Sequence, residues 1–493
     1  MKLSELASLF AISTLQGDVE ISGIQMDSRK VMRGDLFICI SGLKADGHLF
    51  AAKAVELGAV ALVVERDVNI DLPTLKINDS RWAMARIANH FYGDPSREMK
   101  VIGVTGTNGK TTTTYIIEKI LKDQKLQTGL MGTIEMKMGA ETFVTENTTQ
   151  EAIDLQRNLR KMKELGTEYC IMEVSSHALA MGRVNGIHFR TAMFTNLTQD
   201  HLDYHKTMES YQGTKALFFS RMGNSYDSEP GRQQYAVLNI DDPASKSFAE
   251  ATTVEVITYG IEQQADVHAT NIEVTSLGTQ FQLTTFRGSC SISLQLIGKF
   301  NVYNALGAIA AALLEGVTLT DIKQSLKEMA FVAGRMEPVN ETQDFLVLVD
   351  YAHTPDGLEN ALSTVVEFAR GRVITVLGCG GDRDKGKRPK MGKIAAHYSD
   401  YVFVTSDNPR TEQSDSILLD IEPGLLEAGY EQSNYEMIAD RRAAIKKAIE
   451  MASTNDVILI AGKGHETYQE VNGIKYHFDD REEARLAIRG LRK

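Results

Sequence analysis

Residues 101–114 read VIGVTGTNGKTTTT, and this stretch decides the fold. The apolar run of Val101, Ile102 and Val104 predicts a buried strand, and the pattern over 115–121 predicts a helix. Between them lies a loop carrying Gly103, Gly106 and Gly109. A strand, a glycine loop and a helix start together make an anion cradle. Glycines let backbone N–H groups approach a phosphate, and the helix end adds unpaired donors and the positive pole of its dipole. In such a loop Lys110 reaches the β- and γ-phosphates and Thr111 turns its hydroxyl to Mg²⁺, so ATP is the expected ligand. Gly106, Thr107, Asn108, Gly109, Lys110, Thr111 and Thr112 form the candidate nucleotide-binding set. The commonest spacing, G-x-x-x-x-G-K-[ST], has glycine where this chain has Val104.

Around that loop lies a chain of 493 residues, too long for one core and suited to about three domains. An apolar fraction of 43% and a charged fraction of 24% are those of a soluble globular protein. The net charge of −12 argues against nucleic acid or an anionic membrane as partner, while leaving room for local basic pockets. Cys39, Cys170, Cys290 and Cys379 lie far apart, in neither a disulfide framework nor a zinc pattern, which suits a reducing cytoplasm. The opening MKLSELASLFAIST carries Glu5 within its apolar part and reads as an amphipathic first helix rather than a signal peptide. No apolar run approaches the length of a membrane span.

Taken in order, residues 1–98 predict a small α/β unit, with strands over 35–40 and 60–65 and a helix over 50–57. Its polar loops Asp27-Ser28-Arg29 and GLKADGH (42–48) read, on their own, as turns. Gly93-Asp94-Pro95-Ser96 serves as a linker. Residues 99–333 predict a central unit with strands over 168–173, 191–195 and 235–240, separated by helical stretches as in a mainly parallel sheet. The alternating segment 252–298 predicts appended antiparallel strands, followed by a helix over 302–314. Residues 334–493 repeat the α/β theme with apolar runs at 345–349, 373–377, 401–405 and 457–460. Each run meets a polar or glycine-rich loop: DYAHTPD, GCGGDRDKGKRP, SDNPRTE and AGKGHET. Open parallel sheets bind ligands at the carboxyl ends of their strands, so these four loops predict one site. The expected fold is α/β in three domains: a small N-terminal α/β domain, a central P-loop ATPase domain with a parallel sheet, and a C-terminal Rossmann-like domain.

Glu173 ends its strand, where a carboxylate completes a Mg²⁺ shell with Thr111 and phosphate oxygens. The segment 200–205 holds two aspartates and two histidines; metal ligation and a hydrogen-bonded structural loop both fit it. Read unaided, Lys215 is a solvated helical lysine, Asn301 a helix cap and Asn304 a surface amide.

The motifs GTNGKTTTT, ENTT, EVSSHAL, TNLTQDHLDYH, GKFNVYN, GRME, VDYAHTPD, GCGGDRDKGKRP, DNPRTE and AGKGHE stand in the order seen in Mur ligases, which the chain resembles over essentially its whole length. These are the ATP-dependent amide-forming enzymes of peptidoglycan precursor synthesis, and GTNGKT is their own version of the phosphate loop. The resemblance implies a cytoplasmic, monomeric ligase that joins meso-2,6-diaminopimelate to UDP-N-acetylmuramoyl-L-alanyl-D-glutamate through an acyl phosphate. It implies two Mg²⁺ ions, one held by Thr111 and Glu173 and the other by His201, with a lysine, Lys215, carboxylated by CO₂ to supply further oxygen ligands; Lys110, Glu173, His201 and Lys215 are then the catalytic set. It places Asn301 and Asn304 around adenine, Arg335 near the phosphates and Asp350 at the ribose. Asn147, Thr148, Thr149, Ser175 and Arg183 match positions on the muramyl peptide, and Ser28, Leu43, Lys44 and Ala45 the uridine end.

Specificity lies in the last domain. Meso-diaminopimelate has a distal carboxylate that lysine lacks, and a guanidinium binds a carboxylate bidentately. Arg410 of Asp407-Asn408-Pro409-Arg410 is the family's diaminopimelate signature, supported by Arg383, with Glu466 and the Gly462 carbonyl for the distal ammonium. The alternatives are the same reaction with L-lysine, a folylpolyglutamate synthase, and a P-loop NTPase that acts as a switch.

Overall fold

The computed structural model describes residues 1–42, 45–224, 229 and 231–491. The chain forms two compact units. One comprises Met1–Thr105, Lys125–Ala192 and Ser220–Tyr235; the other comprises Gly106–Gln124, Met193–Phe219 and Ala236–Lys493. Among the described residues no helix is long and apolar enough to cross a membrane, and all four cysteines are free.

The first unit begins with a five-stranded sheet. Gly23–Gln25, Asp35–Ile38, Ala61–Val64 and Thr74–Lys76 run parallel, and Thr14–Gln16 closes the edge antiparallel. The two middle strands, Asp35–Ile38 and Ala61–Val64, are buried at every residue, as expected of strands covered on both faces. Asp79 caps the helix Ser80–Phe91, accepting from the Trp82 N–H, and the helix turns Ala83, Met84, Ile87 and Ala88 into the same core as Leu36, Ile38 and Val63. The expected first helix is much shorter than the apolar opening suggests, spanning only Leu3–Ala7. Leu3 and Leu6 fill the core, and beyond Ser8 the chain leaves the helix, with Ile12 facing solvent. Further on, Lys100–Thr105 and Tyr169–Glu173 pair in parallel, Thr128–Met131 joins them, and two antiparallel strands, Glu135–Met138 and Glu141–Val144, extend the edge.

In the second unit the helix Lys110–Asp123 packs on Lys299–Leu314. The latter is apolar nearly all round and is buried accordingly. Val267–Thr275, Gly278–Thr285 and Gly288–Leu294 form the expected antiparallel strands. Glu255–Gly260 departs from that expectation, because it pairs parallel to Val267–Thr275. A six-stranded sheet follows, ordered Glu337–Pro338, Leu346–Asp350, Val457–Ala461, Val373–Cys379, Tyr401–Ser406, Tyr435–Met437, with every pair parallel except the first. Its strands alternate between two cores. Leu348, Leu377, Val404 and Leu459 meet the helices Pro355–Phe368, Lys387–Tyr398 and Ser414–Glu427. Val347, Val376, Phe403 and Ile458 meet Arg441–Met451 and Asp480–Gly490. This period-two split makes a doubly wound sheet, and it brings the ends of four strands to one edge.

Candidate active site

The phosphate loop is rigid because its neighbours are bonded to it. Thr107 N–H donates to the Asn196 carbonyl at 2.8 Å, and Asn108 N–H to the Asn196 side-chain oxygen at 2.9 Å. Thr195 Oγ1 donates to the Asn108 carbonyl at 2.6 Å. Gly109 takes φ +84°, and a Cβ there would collide with Asn304 Oδ1, so no other residue fits the turn into the helix. Lys110 Nζ folds back on the carbonyls of Gly106 (2.9 Å) and Thr107 (2.7 Å). Thr111 and Thr112 lie buried in the first helical turn.

Lys215 corrects its unaided reading: it is 1% exposed, with Nζ donating to the Gly106 carbonyl at 2.9 Å. Burial, reinforced by the Lys110 charge, pushes its ammonium well below the usual lysine range, and Asp200 only partly opposes this. Asp200 faces His201 (3.3 Å). Burial pushes the Asp200 carboxyl up, but His201, His353 and Lys387 outweigh that, so it titrates low. His201 sits at φ +57°, an uncommon conformation for a residue with a side chain. His205 stacks on Tyr211, whose ring His201 also meets edge-on. Among the described residues no three His, Cys, Asp or Glu side chains converge as a metal cage. The donors here are instead a hydroxyl, a carboxylate, an imidazole and a buried amine.

Asn301 and Asn304 are buried in a helix, neither cap nor surface amide. Asn304 donates to Asn301 Oδ1 at 3.0 Å, and Asn301 donates to the Ile297 carbonyl at 2.9 Å. Arg335 donates to Thr111 Oγ1 at 3.1 Å and lies over the Tyr351 ring. Asp350 accepts from the Met336 N–H at 2.7 Å. Burial raises its carboxyl to about 6 against the pull of Arg335. His353, also buried, is driven down to about 4 and is neutral at pH 7.

The four loops at the strand ends of the six-stranded sheet do meet. Asn408 Nδ2 donates to Glu466 Oε2 at 2.7 Å, and Arg410 Nη1 donates to the Gly381 carbonyl at 2.6 Å. Lys387 Nζ reaches the His353 carbonyl at 2.7 Å. Gly462 lies so close to Asp407 that a Cβ would come within 2.6 Å of its carboxylate. Arg410 is held at φ +54°, with its N–H on the Glu470 carbonyl (3.0 Å) and its carbonyl accepting from the Asn472 N–H (2.7 Å). Arg383, by contrast, is exposed and donates to the Asp382 carbonyl at 3.1 Å.

Two residues of this cluster escaped sequence reasoning. Arg388, fully buried, ties Glu412, Asp420 and the Gly380 carbonyl together and holds the Glu412 carboxyl down to about 2. Lys463, also fully buried, pairs with Glu466 at 2.9 Å. Both lie inside quoted motifs, yet only their burial separates them from ordinary surface cations.

In the first unit a cluster of hydroxyls gathers on Glu173, itself 1% exposed. Its carboxylate accepts from the Thr133 N–H (2.8 Å) and hydroxyl (3.0 Å), and the latter also meets Thr148 Oγ1 at 3.0 Å. Thr149 Oγ1 donates to the Glu173 carbonyl and accepts from Ser175 N–H. Arg183 pairs with Glu151 at 2.7 Å and donates to the Thr149 carbonyl. Thus Thr148, Thr149, Ser175 and Arg183 come together, with Thr133 and Glu151 as unforeseen members, while Asn147 is exposed beside them. Thr133 carries no local sequence signal; only the fold brings it to Glu173. Ser28 is buried in the short helical turn Ser28–Lys30, capped by Asp27, and Ala45 is exposed on a separate loop. Leu43 and Lys44 lie outside the described residues.

Known proteins resemble this chain along most of its length. Residues 20–92 match the model described as Mur ligase family, catalytic domain; 104–312 match the Mur ligase middle domain; and 334–464 match the Mur ligase, glutamate ligase domain. A UDP-N-acetylmuramoyl-L-alanyl-D-glutamate–2,6-diaminopimelate ligase from Halalkalibacterium halodurans is 51% identical over 488 residues, covering 99% of this chain and 98% of that one. The protein of the same name from Bacillus velezensis is 48% identical and covers both chains fully. A solved structure of a ligase with that name superposes with a TM-score of 0.67 at 33% identity, covering 96% of each chain.

Proposed function

This chain belongs to the Mur ligase family, and from that premise we propose that it joins meso-2,6-diaminopimelate to UDP-N-acetylmuramoyl-L-alanyl-D-glutamate at the expense of ATP. It acts in the cytoplasm, as a monomer, in peptidoglycan precursor synthesis. Residues 1–98 take the UDP end of the precursor, 99–333 take ATP, and 334–493 take the amino acid. The observation that carries the choice of amino acid is Arg410. A residue with a side chain at φ +54° costs of order 1 kcal/mol, and here strand bonds on both sides hold it there. That constraint aims a guanidinium at the four-loop edge, ready for the distal carboxylate.

The chemistry gathers negative charge, and the chain answers with cations and fixed donors. The γ-carboxylate of the D-glutamyl residue attacks the γ-phosphorus of ATP, ADP leaves, and an acyl phosphate forms. The neutral amine of diaminopimelate then attacks the acyl carbon, loses a proton, and phosphate departs. Lys110, Arg335 and the loop N–H groups stabilise charge that develops on the phosphoryl oxygens. Asn301 and Asn304 take adenine and Asp350 the ribose. Thr148, Thr149, Ser175 and Arg183 position the muramyl peptide, together with Asn147. Ser28, Leu43, Lys44 and Ala45 take the uridine nucleotide.

Mg²⁺ supplies further positive charge to the phosphates when bound. Thr111, Glu173, His201 and a carboxylated Lys215 are the residues that would hold it. Lys215 fits this role because burial pushes its ammonium well below the usual lysine range, which favours the uncharged amine that adds CO₂. The resulting carbamate presents oxygen ligands, which Mg²⁺ prefers.

The test is phosphate release from ATP with the UDP-dipeptide precursor, comparing meso-diaminopimelate with L-lysine, and the mass of the product. Turnover with diaminopimelate supports the reading. Turnover with lysine alone overturns the role of Arg410, and precursor-independent hydrolysis returns the loop to an NTPase switch.

A further inference from the structure

The amino-acid pocket contains a buried ion pair that the reaction as described does not use. Lys463, in Gly462-Lys463-Gly464-His465-Glu466, has no exposed surface. Its Nζ donates to Glu466 Oε2 at 2.9 Å and to Asn408 Oδ1 at 3.1 Å, and it lies 5.5 Å from the centre of the Tyr468 ring. Asn408 closes the triangle by donating from Nδ2 to the same Glu466 oxygen at 2.7 Å. The Asn408 carbonyl oxygen also accepts the Glu470 N–H at 2.9 Å.

Counting donors and acceptors shows what this triangle leaves open. Asn408 Oδ1 has both lone pairs engaged, so Asn408 can meet substrate only through its second Nδ2–H. The hydrogen bonds that Glu466 accepts among the described residues both fall on Oε2. Oε1 is left as the acceptor for a cation from outside. A buried lysine on Glu466 Oε2 therefore settles which carboxylate oxygen faces substrate, and it shares with the Glu470 N–H the task of fixing the Asn408 amide. Without it the carboxylate loses one of the two bonds that orient it, and the amide oxygen one of the two it accepts.

We propose that Lys463 is a positioning residue for the incoming amino acid, acting through Glu466 and Asn408 to present one carboxylate oxygen to the distal ammonium and one amide N–H to a carboxylate. The inference rests on the reading of this pocket as the diaminopimelate site. Lys463 also bears on charge. Burial pushes the Glu466 carboxyl up, Lys463 pulls it down, and Asp407 pushes it further up. Only the ionised form attracts an ammonium, so Lys463 keeps Glu466 competent at lower pH.

The experiment compares wild type, K463M, E466Q and the K463M/E466Q double variant in the full-length enzyme, by phosphate release with each substrate varied in turn. Wild-type turnover with diaminopimelate comes first, since its failure rejects the pocket reading itself and not the role of Lys463. In K463M the KM for diaminopimelate rises about tenfold or more, as expected for losing a charge-assisted contact, while the KM for ATP stays within about twofold. The acid limb of the pH profile of kcat/KM for diaminopimelate moves to higher pH. In the E466Q background the same Lys463→Met change has a much smaller effect, because the two act as one unit. Equal effects in both backgrounds overturn the proposal, as does an unmoved acid limb. Should K463M not fold, E466Q alone decides: the proposal requires a raised KM for diaminopimelate with an unchanged KM for ATP, and an unchanged KM for diaminopimelate refutes it.

Discussion

The phosphate-loop region and the four-loop edge proposed as the amino-acid pocket both bury charged residue types, but they treat them in opposite ways. Around the loop, burial pushes groups toward neutrality: Lys215 well down, His353 down to about 4, and Asp350 up to about 6. Around the pocket, buried charges come already paired: Lys463 with Glu466, Arg388 with Glu412 and Asp420, and Arg441 with Asp480 at 2.7 Å. The first arrangement suits a place where charge arrives with the nucleotide and metal. The second suits a place where a particular shape of charge must be recognised, since paired side chains cannot turn to meet a different ligand. Substitutions in each region ought to expose this contrast.

The largest effect is expected at Lys215. Replacing it with methionine keeps the volume and removes the amine, and kcat should fall roughly 10²–10³-fold, as when a group stabilising transition-state charge is lost. With ¹³C-bicarbonate the wild type should show a carbamate carbon resonance that K215M lacks. Full activity in K215M, or no such resonance in wild type, would place Lys215 among purely structural residues.

Arg410 comes next. R410K keeps the charge but loses the planar fork, and kcat/KM for diaminopimelate should drop about tenfold to a hundredfold, the loss of about 1.5–3 kcal/mol for a charge-assisted bond. Discrimination against lysine should fall with it. Unchanged discrimination would mean that backbone clamping, not the guanidinium, shapes the pocket.

These two residues also mark where the sequence was legible. Arg410 is marked only by the family's own motif, whereas the phosphate loop announces itself, because a glycine at φ +84° is a local requirement written in local sequence. The parallel strands were legible for a similar reason: continuous apolar runs bounded by polar loops need no knowledge of distant partners. Lys215, Asn301 and Asn304 were legible only by family likeness. Their chemistry comes from burial, which is decided by residues far away in the chain; Lys215 meets Gly106 across 109 positions. Thr133, Arg388 and Lys463 depend on the same kind of distant packing. The first helix forms but stops early, and the parallel pairing of Glu255–Gly260 is missed, because amphipathic patterning does not state where a helix stops or which way a neighbouring strand runs.

Asp350 tests the nucleotide side through stability. Its folded carboxyl titrates near 6 against 3.8 for the free group, so between these values the folded chain holds more protons than the unfolded one. Stability is therefore lost as pH rises from about 4 through 6, and the cost above that window is about 3 kcal/mol. Asp350→Asn removes the titration while keeping an acceptor for the Met336 N–H. Urea unfolding should find D350N more stable than wild type at pH 7.5, with the gap closing toward pH 4.5, at the expense of ATP binding. A gap independent of pH would show that Asp350 is neutralised by Arg335 and would erase the contrast at this position.

The smallest effect is expected at a partly exposed ion pair of the pocket. Glu470 Oε2 lies 3.6 Å from Arg410 Nε, with side-chain exposures of 27% and 21%. Such a pair is worth at most about 1 kcal/mol, because solvent screens it and two long side chains must be held still. Glu470 also carries the same sign as the distal carboxylate that Arg410 is proposed to take. Its backbone carbonyl, which fixes Arg410 in its left-handed turn, survives any side-chain change. E470Q should therefore lower the KM for diaminopimelate slightly, by less than about fivefold, and leave kcat alone. A tenfold rise in KM would reverse the argument. It would show that the Glu470 carboxylate aims the guanidinium, and that even the weakest pairs in this pocket are part of how it recognises its substrate.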